Sequence, residues 1–115
     1  MSDAPVYVVT GATGALGGAV VEALLSGGAR VAAPHRSAEA PKELRGRAGA
    51  ERLFLAQADA SDALSMERFL ASAAGAFGRV DGLAAIAGAY AGAGPLEQAP
   101  ADEWTRMLDA NLQTA

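Results

Sequence analysis

Val6 to Thr10, VYVVT, is β-branched and aromatic, apolar on both faces, and ends at Gly11. A run that short and that uniformly apolar predicts a buried parallel strand. From Leu16 to Ser26 the period changes: Leu16, Val20, Ala23 and Leu24 fall on one side of a helix that Gly27-Gly28 ends. Arg30 to Ala33 predicts a second strand, closed by Pro34, and Glu39 to Arg47 a short polar helix. Arg52 to Ala56, RLFLA, predicts a third strand. Ser61 or Asp62 then suits an N-cap, and Met66, Leu70, Ala73, Ala74 and Phe77 mark the apolar stripe of a helix that Gly78 stops. Val80 to Ala87 predicts a fourth strand, and Gly88 to Pro95 a loop of glycine and alanine. Pro100 opens a last helix, with Asp102 and Glu103 in its first turn, where the helix dipole favours acids. That helix runs through Trp104, Leu108, Asn111 and Leu112 to the chain's end.

Strands alternating with helices imply parallel βαβ units and an α/β domain. With 115 residues, one domain over 1–115 is the economical division, small for a complete doubly wound enzyme. The formal charge of -4 argues against a nucleic-acid partner, since phosphate binding favours a basic face. The chain has no cysteine, which excludes disulfides, cysteine-ligated zinc and a thiol nucleophile. A single histidine, His35, excludes a multi-histidine metal cluster. The amino-terminal residues do not read as a secretory signal, and no apolar run approaches the ~20 residues that span a bilayer. The expectation is a cytoplasmic protein without a membrane partner.

The chemistry concentrates at Thr10-Gly-Ala-Thr-Gly-Ala-Leu-Gly17, where a strand ends and a helix begins. Gly11 permits a tight turn out of the strand. Gly14, without a side chain, lets a pyrophosphate approach the backbone, and Gly17 lets the helix pack close to the sheet. The helix's first amides, from Ala15 and Leu16 onward, face the phosphates, and Thr13 offers a hydroxyl. No Lys-Ser/Thr pair follows, so a dinucleotide is expected rather than a nucleoside triphosphate.

With these residues in view, the chain resembles the short-chain dehydrogenase/reductase family, specifically its amino-terminal, cofactor-binding half. VTGATGALGGAVVEALLSGGARV resembles the cofactor-binding start and ADASD, at 58–62, the acidic motif after the third strand. VDGLAAIAG, at 80–88, lies where the family ends its fourth strand in Asn-Asn-Ala-Gly, of which only Ala87 and Gly88 remain. EWTRMLDANLQTA resembles the helix that carries the catalytic asparagine, here Asn111. The resemblance implies a Rossmann-type three-layer αβα fold with a parallel sheet in the order 3-2-1-4, truncated after about four strands. It also implies that Asp59 accepts from the adenine amino group, that Ala60 offers its amide to the ring, and that Ala87 and Gly88 approach the cofactor. The glycine spacing departs from the common pattern at Ala15 and matches the extended branch of nucleotide-sugar epimerases and dehydratases. The Trp104 to Asn111 helix matches the common branch.

NAD enzymes place an acid at the end of the second strand, on the ribose 2′-hydroxyl. Here that slot holds Pro34-His35-Arg36. An arginine pairs with a 2′-phosphate that an acid would repel, so NADP is expected over NAD. The family's hydride transfer between NADP(H) and a carbonyl or alcohol uses a serine and a Tyr-x-x-x-Lys pair. Four residues after Tyr7 and Tyr90 stand Gly11 and Gly94, and Lys42 is the only lysine. The chain is therefore expected to bind a dinucleotide without completing the chemistry. The alternatives are a stand-alone binding or interaction module and a fragment of an extended-branch enzyme. Either self-association or a further carboxy-terminal part would cover the fourth strand and the last helix.

Overall fold

The computed structural model describes residues 4–39, 41–45, 51–88, 98 and 101–114. Four strands form one parallel sheet: β1 (Val6–Thr10), β2 (Arg30–His35), β3 (Leu53–Gln57) and β4 (Gly82–Ala85), in the order β3-β2-β1-β4. The helices are α1 (Ala15–Ser26), the short α2 (Lys42–Arg45), α3 (Ala63–Phe77) and α4 (Ala101–Leu108), which continues as a π-helical turn (Asp109–Gln113). This is the expected α/β layering and strand order.

Adjacent strand residues serve opposite layers, as a pleated sheet requires. Val9, Val31, Ala33 and Leu53 pack with Val21 and Leu25 of α1 and Leu44 of α2. Val8 and Ala32 pack on the other face with Phe69 and Ala73 of α3. On that face Phe54 stands 6.0 Å from the Phe69 ring and 6.4 Å from the Phe77 ring.

The helix faces differ from the expected stripes. In α1 the buried positions are Gly17, Gly18, Val21 and Leu25, while Leu16 is 64% exposed and Ala23 is exposed. The glycine turn sets this rotation: Gly17 lies against the Gly11 carbonyl, which turns Val21 and Leu25 inward and leaves Val20 and Leu24 on the flank. In α3 the inward positions are Met66, Phe69, Ala73 and Phe77, and Leu70 and Ala74 are exposed. Asp62 is the N-cap, accepting from the Leu64 amide at 3.2 Å, and Gly78 ends the helix at φ 80°.

Pro34 does not close β2, which continues to His35. Val31 donates to Arg52 on the β3 side and Arg30 to Pro5 on the β1 side, so even-numbered nitrogens of β2 face β1. The β1–β2 register ends at Val8↔Ala32. The proline nitrogen therefore lies where no ladder bond is needed. β4 is shorter than the expected 80–87. At its start Asp81 bonds Val6 twice, through its backbone amide and its carboxylate (each 2.8 Å). At its end the Ile86 amide turns back to the Ala84 carbonyl. The start of the last helix expected at Pro100, and the loop from 89 to 97, lie outside the described residues.

Candidate functional site

The carboxy-terminal ends of the strands open into a cleft of about 760 Å³. In open α/β sheets ligands bind at this edge, where the strand order reverses. Here β1 lies between β2 and β4, and its exit turn is the cleft's floor.

Gly11 carries that turn with φ 71°, a left-handed conformation that a side chain would strain. A Cβ there would also meet the Ala87 nitrogen at 2.7 Å. Gly14 is different: a Cβ would touch only the Gly11 carbonyl oxygen, at 3.5 Å. Gly14 sits at the N-cap of α1 with extended backbone, and among the described residues no side chain caps the helix. The first turn also holds no acid. The first intrahelical bond runs from the Gly18 amide to Gly14 (2.8 Å), so the amides of Ala15, Leu16 and Gly17 have no intrahelical acceptor. α3, closed by Asp62, shows the contrast. Gly17 packs on the loop itself rather than on the sheet: its nearest neighbours are Gly11 and Ala12.

Of the residues singled out in the sequence, Gly11, Thr13, His35, Arg36, Asp59, Ala60, Ala87 and Gly88 line the cleft together. Gly14, Ala15, Leu16 and Gly17 form the adjoining start of α1. The His35 ring is buried and bonds from Nδ1 to the Ser37 carbonyl at 2.8 Å. Arg36 is exposed, and its carbonyl accepts from Gln57 Nε2 at 3.1 Å. Asp59 accepts from the Ser61 hydroxyl (2.6 Å) and amide (2.9 Å), both on Oδ1. Those two bonds hold its carboxyl below the usual carboxylate range, and the Arg36 charge acts in the same direction against partial burial. The Asp59 amide in turn donates to Ser65 Oγ at 2.9 Å.

Asn111 does not itself line the cleft but borders it at Gly88. The helix expected to run straight through it widens at Asp109 into the π turn. Asn111 Nδ2 donates to the Met107 carbonyl (2.9 Å), and Thr114 Oγ1 to the Ala110 carbonyl (2.6 Å). Side chains that bond four residues back compete with the helical ladder, and single π turns recur at functional sites. Neither Asn111 nor Leu108 lies on a buried apolar face: both are exposed. The Asn111 carboxamide instead abuts Gly88, where a Cβ would collide with Oδ1.

Three contributors carried no signal of this kind in the sequence. Thr10 is buried, and its hydroxyl oxygen accepts from the amides of Ile86 and Ala87 at 3.2 Å each, fixing the end of β4 over the turn. Thr114 Oγ1 also lies 3.0 Å from the Ala87 carbonyl, so its single proton is shared between that oxygen and the Ala110 carbonyl and joins the π turn to the same point. Arg106 lines the cleft from α4 and lies 3.9 Å from Asp102. Thr10 was legible only as the last residue of a strand; the i, i+4 spacing of Ala110 and Thr114 was the one trace of the other tether. Among the described residues, no group of three metal-ligating side chains converges, and no helix is long and apolar enough to cross a membrane.

A parallel sheet in this order, with a glycine turn where the order reverses, defines a doubly wound α/β domain of the Rossmann type. The short chain dehydrogenase family model matches residues 5–115, and the chain belongs to that family. It is 36% identical over 114 residues to a D-threitol dehydrogenase from Mycolicibacterium smegmatis, covering 96% of this chain and 43% of that protein. It is 31% identical over 106 residues to the NADP-dependent 3-hydroxy acid dehydrogenase YdfG of Escherichia coli K12, covering 92% and 42%. A Brucella melitensis short-chain dehydrogenase/reductase of known structure, described as a glucose/ribitol dehydrogenase, superposes with a TM-score of 0.83 at 30% identity, over 96% of this chain and 46% of that one. The chain thus spans less than half the length of the relatives it matches.

Proposed function

We propose that residues 1–115 form the dinucleotide-binding portion of a short-chain dehydrogenase/reductase that uses NADP. The observation that carries this reading is the start of α1: an uncapped helix terminus, free of acids, with Gly14 leaving the space in front of it open. A pyrophosphate fits there, accepting from the amides of Ala15, Leu16 and Gly17 in the positive field of the helix. Thr13 adds a hydroxyl at the rim. Asp59 and Ala60 take the adenine, with Asp59 held ionised by Ser61 on Oδ1 and its carboxylate accepting a hydrogen bond from the base's amino group. Ala87 and Gly88, fixed by Thr10, bring backbone up to the nicotinamide end. Arg36, its backbone held by Gln57, pairs with the 2′-phosphate. The NADP dependence named for the Escherichia coli relative supports that choice.

When bound, the nicotinamide supplies hydride transfer to or from a carbonyl or alcohol carbon. Asn111, whose Nδ2 donates to the Met107 carbonyl, supports the proton relay of that reaction. The general acid/base does not come from the described residues. Tyr7 belongs to β1, where its ring lies against Gly82, and Lys42 sits on α2 away from any tyrosine at the required spacing. Tyr90 lies outside the described residues.

The test is calorimetric titration of the full chain with NADPH and NADH, wild type against Arg36→Ala. NADPH binds more tightly to the wild type, and the variant loses that margin while keeping its NADH affinity. Equal affinities in the wild type refute the NADP assignment, and no binding of either refutes the dinucleotide site.

Among the described residues β4 is an outer strand of the sheet, and Leu83 on it is 59% exposed, with Leu108 and Leu112 exposed on the helical segment beyond. An open strand edge beside apolar side chains pairs readily with further polypeptide. We read this side as covered, by a second copy or by further chain. Light scattering at rising concentration tests the first option, and a clean monomer throughout rules it out.

A further inference from the structure

His35 ends β2 one residue before Arg36, and its ring lines the cleft although it is 8% exposed. Its Nδ1 lies 2.8 Å from the Ser37 carbonyl oxygen. A carbonyl only accepts, so Nδ1 carries a proton. In the neutral ring Nε2 is then a bare acceptor, on a side chain that lines the cleft together with Arg36. A phosphate at that end needs donors. The protonated ring provides one from Nε2 while keeping the Ser37 bond.

Among the described residues, the charged side chains nearest in the chain are Arg36 and Glu39 on the loop after β2 and Lys42 on α2, and Asp59, on the loop after β3, lines the same cleft. Arg106 and Asp109 line the cleft from the helical side. Asp59 has its Oδ1 engaged by Ser61, so the ring is not already committed to a carboxylate pair through that atom.

Resting on the NADP reading above, we infer that the 2′-phosphate draws one proton from solvent onto His35 Nε2, making His35 a second cation beside Arg36. NAD has a hydroxyl in place of the phosphate and makes no such demand. The preference for NADP over NAD therefore rises as pH falls.

The test is calorimetry of NADP⁺ and NAD⁺ binding to the full chain at about pH 7.5, in HEPES and in Tris. These buffers differ in ionisation enthalpy, so the comparison counts protons taken up. His35→Asn is the control: asparagine keeps an N–H for the Ser37 carbonyl and does not titrate. At about pH 7.5 a phosphate monoester, with its second pKa near 6, is already largely the dianion, so its own proton contributes little to the difference. The wild type takes up more protons than the variant with NADP⁺, by up to one, and the two agree with NAD⁺. A second measurement needs no variant: the wild-type ratio of NADP⁺ to NAD⁺ affinity rises from pH 8 to 6.5, by up to about tenfold per unit. Equal proton counts in wild type and variant, or a flat ratio in the wild type, overturn the inference while leaving an NADP preference standing. NADP⁺ binding no more tightly than NAD⁺ at any pH overturns both readings together.

Discussion

Alanine at Gly14 separates binding from folding in a way that alanine at Gly11 or Gly17 does not. Gly14 has φ -79°, and a Cβ there makes one ordinary contact, 3.5 Å to the Gly11 carbonyl oxygen. Glycine is the better N-cap than alanine by up to about 1 kcal/mol. Alanine recovers about 0.4–1 kcal/mol by restricting the unfolded chain. The two nearly cancel, so Gly14→Ala melts within a few degrees of the wild type. Gly11→Ala puts a side chain at φ 71°, about 1–2 kcal/mol, and brings Cβ to 2.7 Å from the Ala87 nitrogen, an overpacking of about 1–3 kcal/mol more. Gly17→Ala drives a methyl into the Gly11 carbonyl, with its carbon at 2.6 Å, and is destabilising on the same grounds. Binding reverses the ranking of interest. The Gly14 methyl fills the space in front of the α1 amides and holds a phosphate away, so affinity falls at least about tenfold, or about 1.4 kcal/mol. The assays are thermal unfolding without ligand and NADPH fluorescence titration, run on the full chain. If Gly14→Ala binds NADPH like the wild type, the diphosphate does not sit at this helix terminus. If it loses as much stability as Gly11→Ala, the account of the turn is wrong.

The opposite end of the sheet offers a stability test: buried Arg30 donates to the carbonyls of Ala4 (2.8 Å) and Phe77 (3.2 Å) and lies 5.2 Å above the Phe77 ring. Arg30→Ala lowers unfolding stability by about 2–4 kcal/mol in chemical denaturation without changing relative dinucleotide preference. At Asp81 the Arg79 guanidinium and the Val6 amide hold the carboxyl below the usual range, as the Ser61 bonds do for Asp59. Both acids bind a proton less readily folded than unfolded, so their stabilisation is complete above the ordinary carboxylate range and is lost as pH falls through it, below about pH 4. Asp81→Asn accordingly lowers the melting temperature at pH 7 and flattens its decline in acid, read from melting curves between pH 2 and 7. Thr114→Val removes the hydroxyl that reaches Ala87 and Ala110 and weakens the chain by about 0.5–1.5 kcal/mol, and Thr114→Ser restores it; equal melting of all three would show that the tether holds nothing.

Much of the architecture was readable from local pattern. The dense apolar run VYVVT, the changes of period and the stops at Gly27 and Gly78 placed four strands and the main helices, because each reflects a property of a short segment. The cleft was readable too, since its floor is a strand-to-helix turn whose glycines are required by backbone geometry. Pattern erred where a second element decides the outcome. Leu16 looked like core and is exposed, because the Gly11–Gly17 contact turns α1 by about one residue. Pro34 looked like a strand end, but β1 stops pairing at Ala32 and leaves its nitrogen without a required acceptor. Asn111 looked like part of a regular helix, but two side chains bonding four residues back widen the turn.

The sequence by itself determined the α/β class and the glycine turn, because those depend on conformational freedom and periodicity within a few residues. Tertiary structure alone decided which side of each helix is buried, where β2 and β4 end, and that Thr10 and Thr114 tie β1 and the π turn to the close of β4. Those outcomes depend on hydrogen bonds and packing between segments tens of residues apart, whose geometry no local pattern contains.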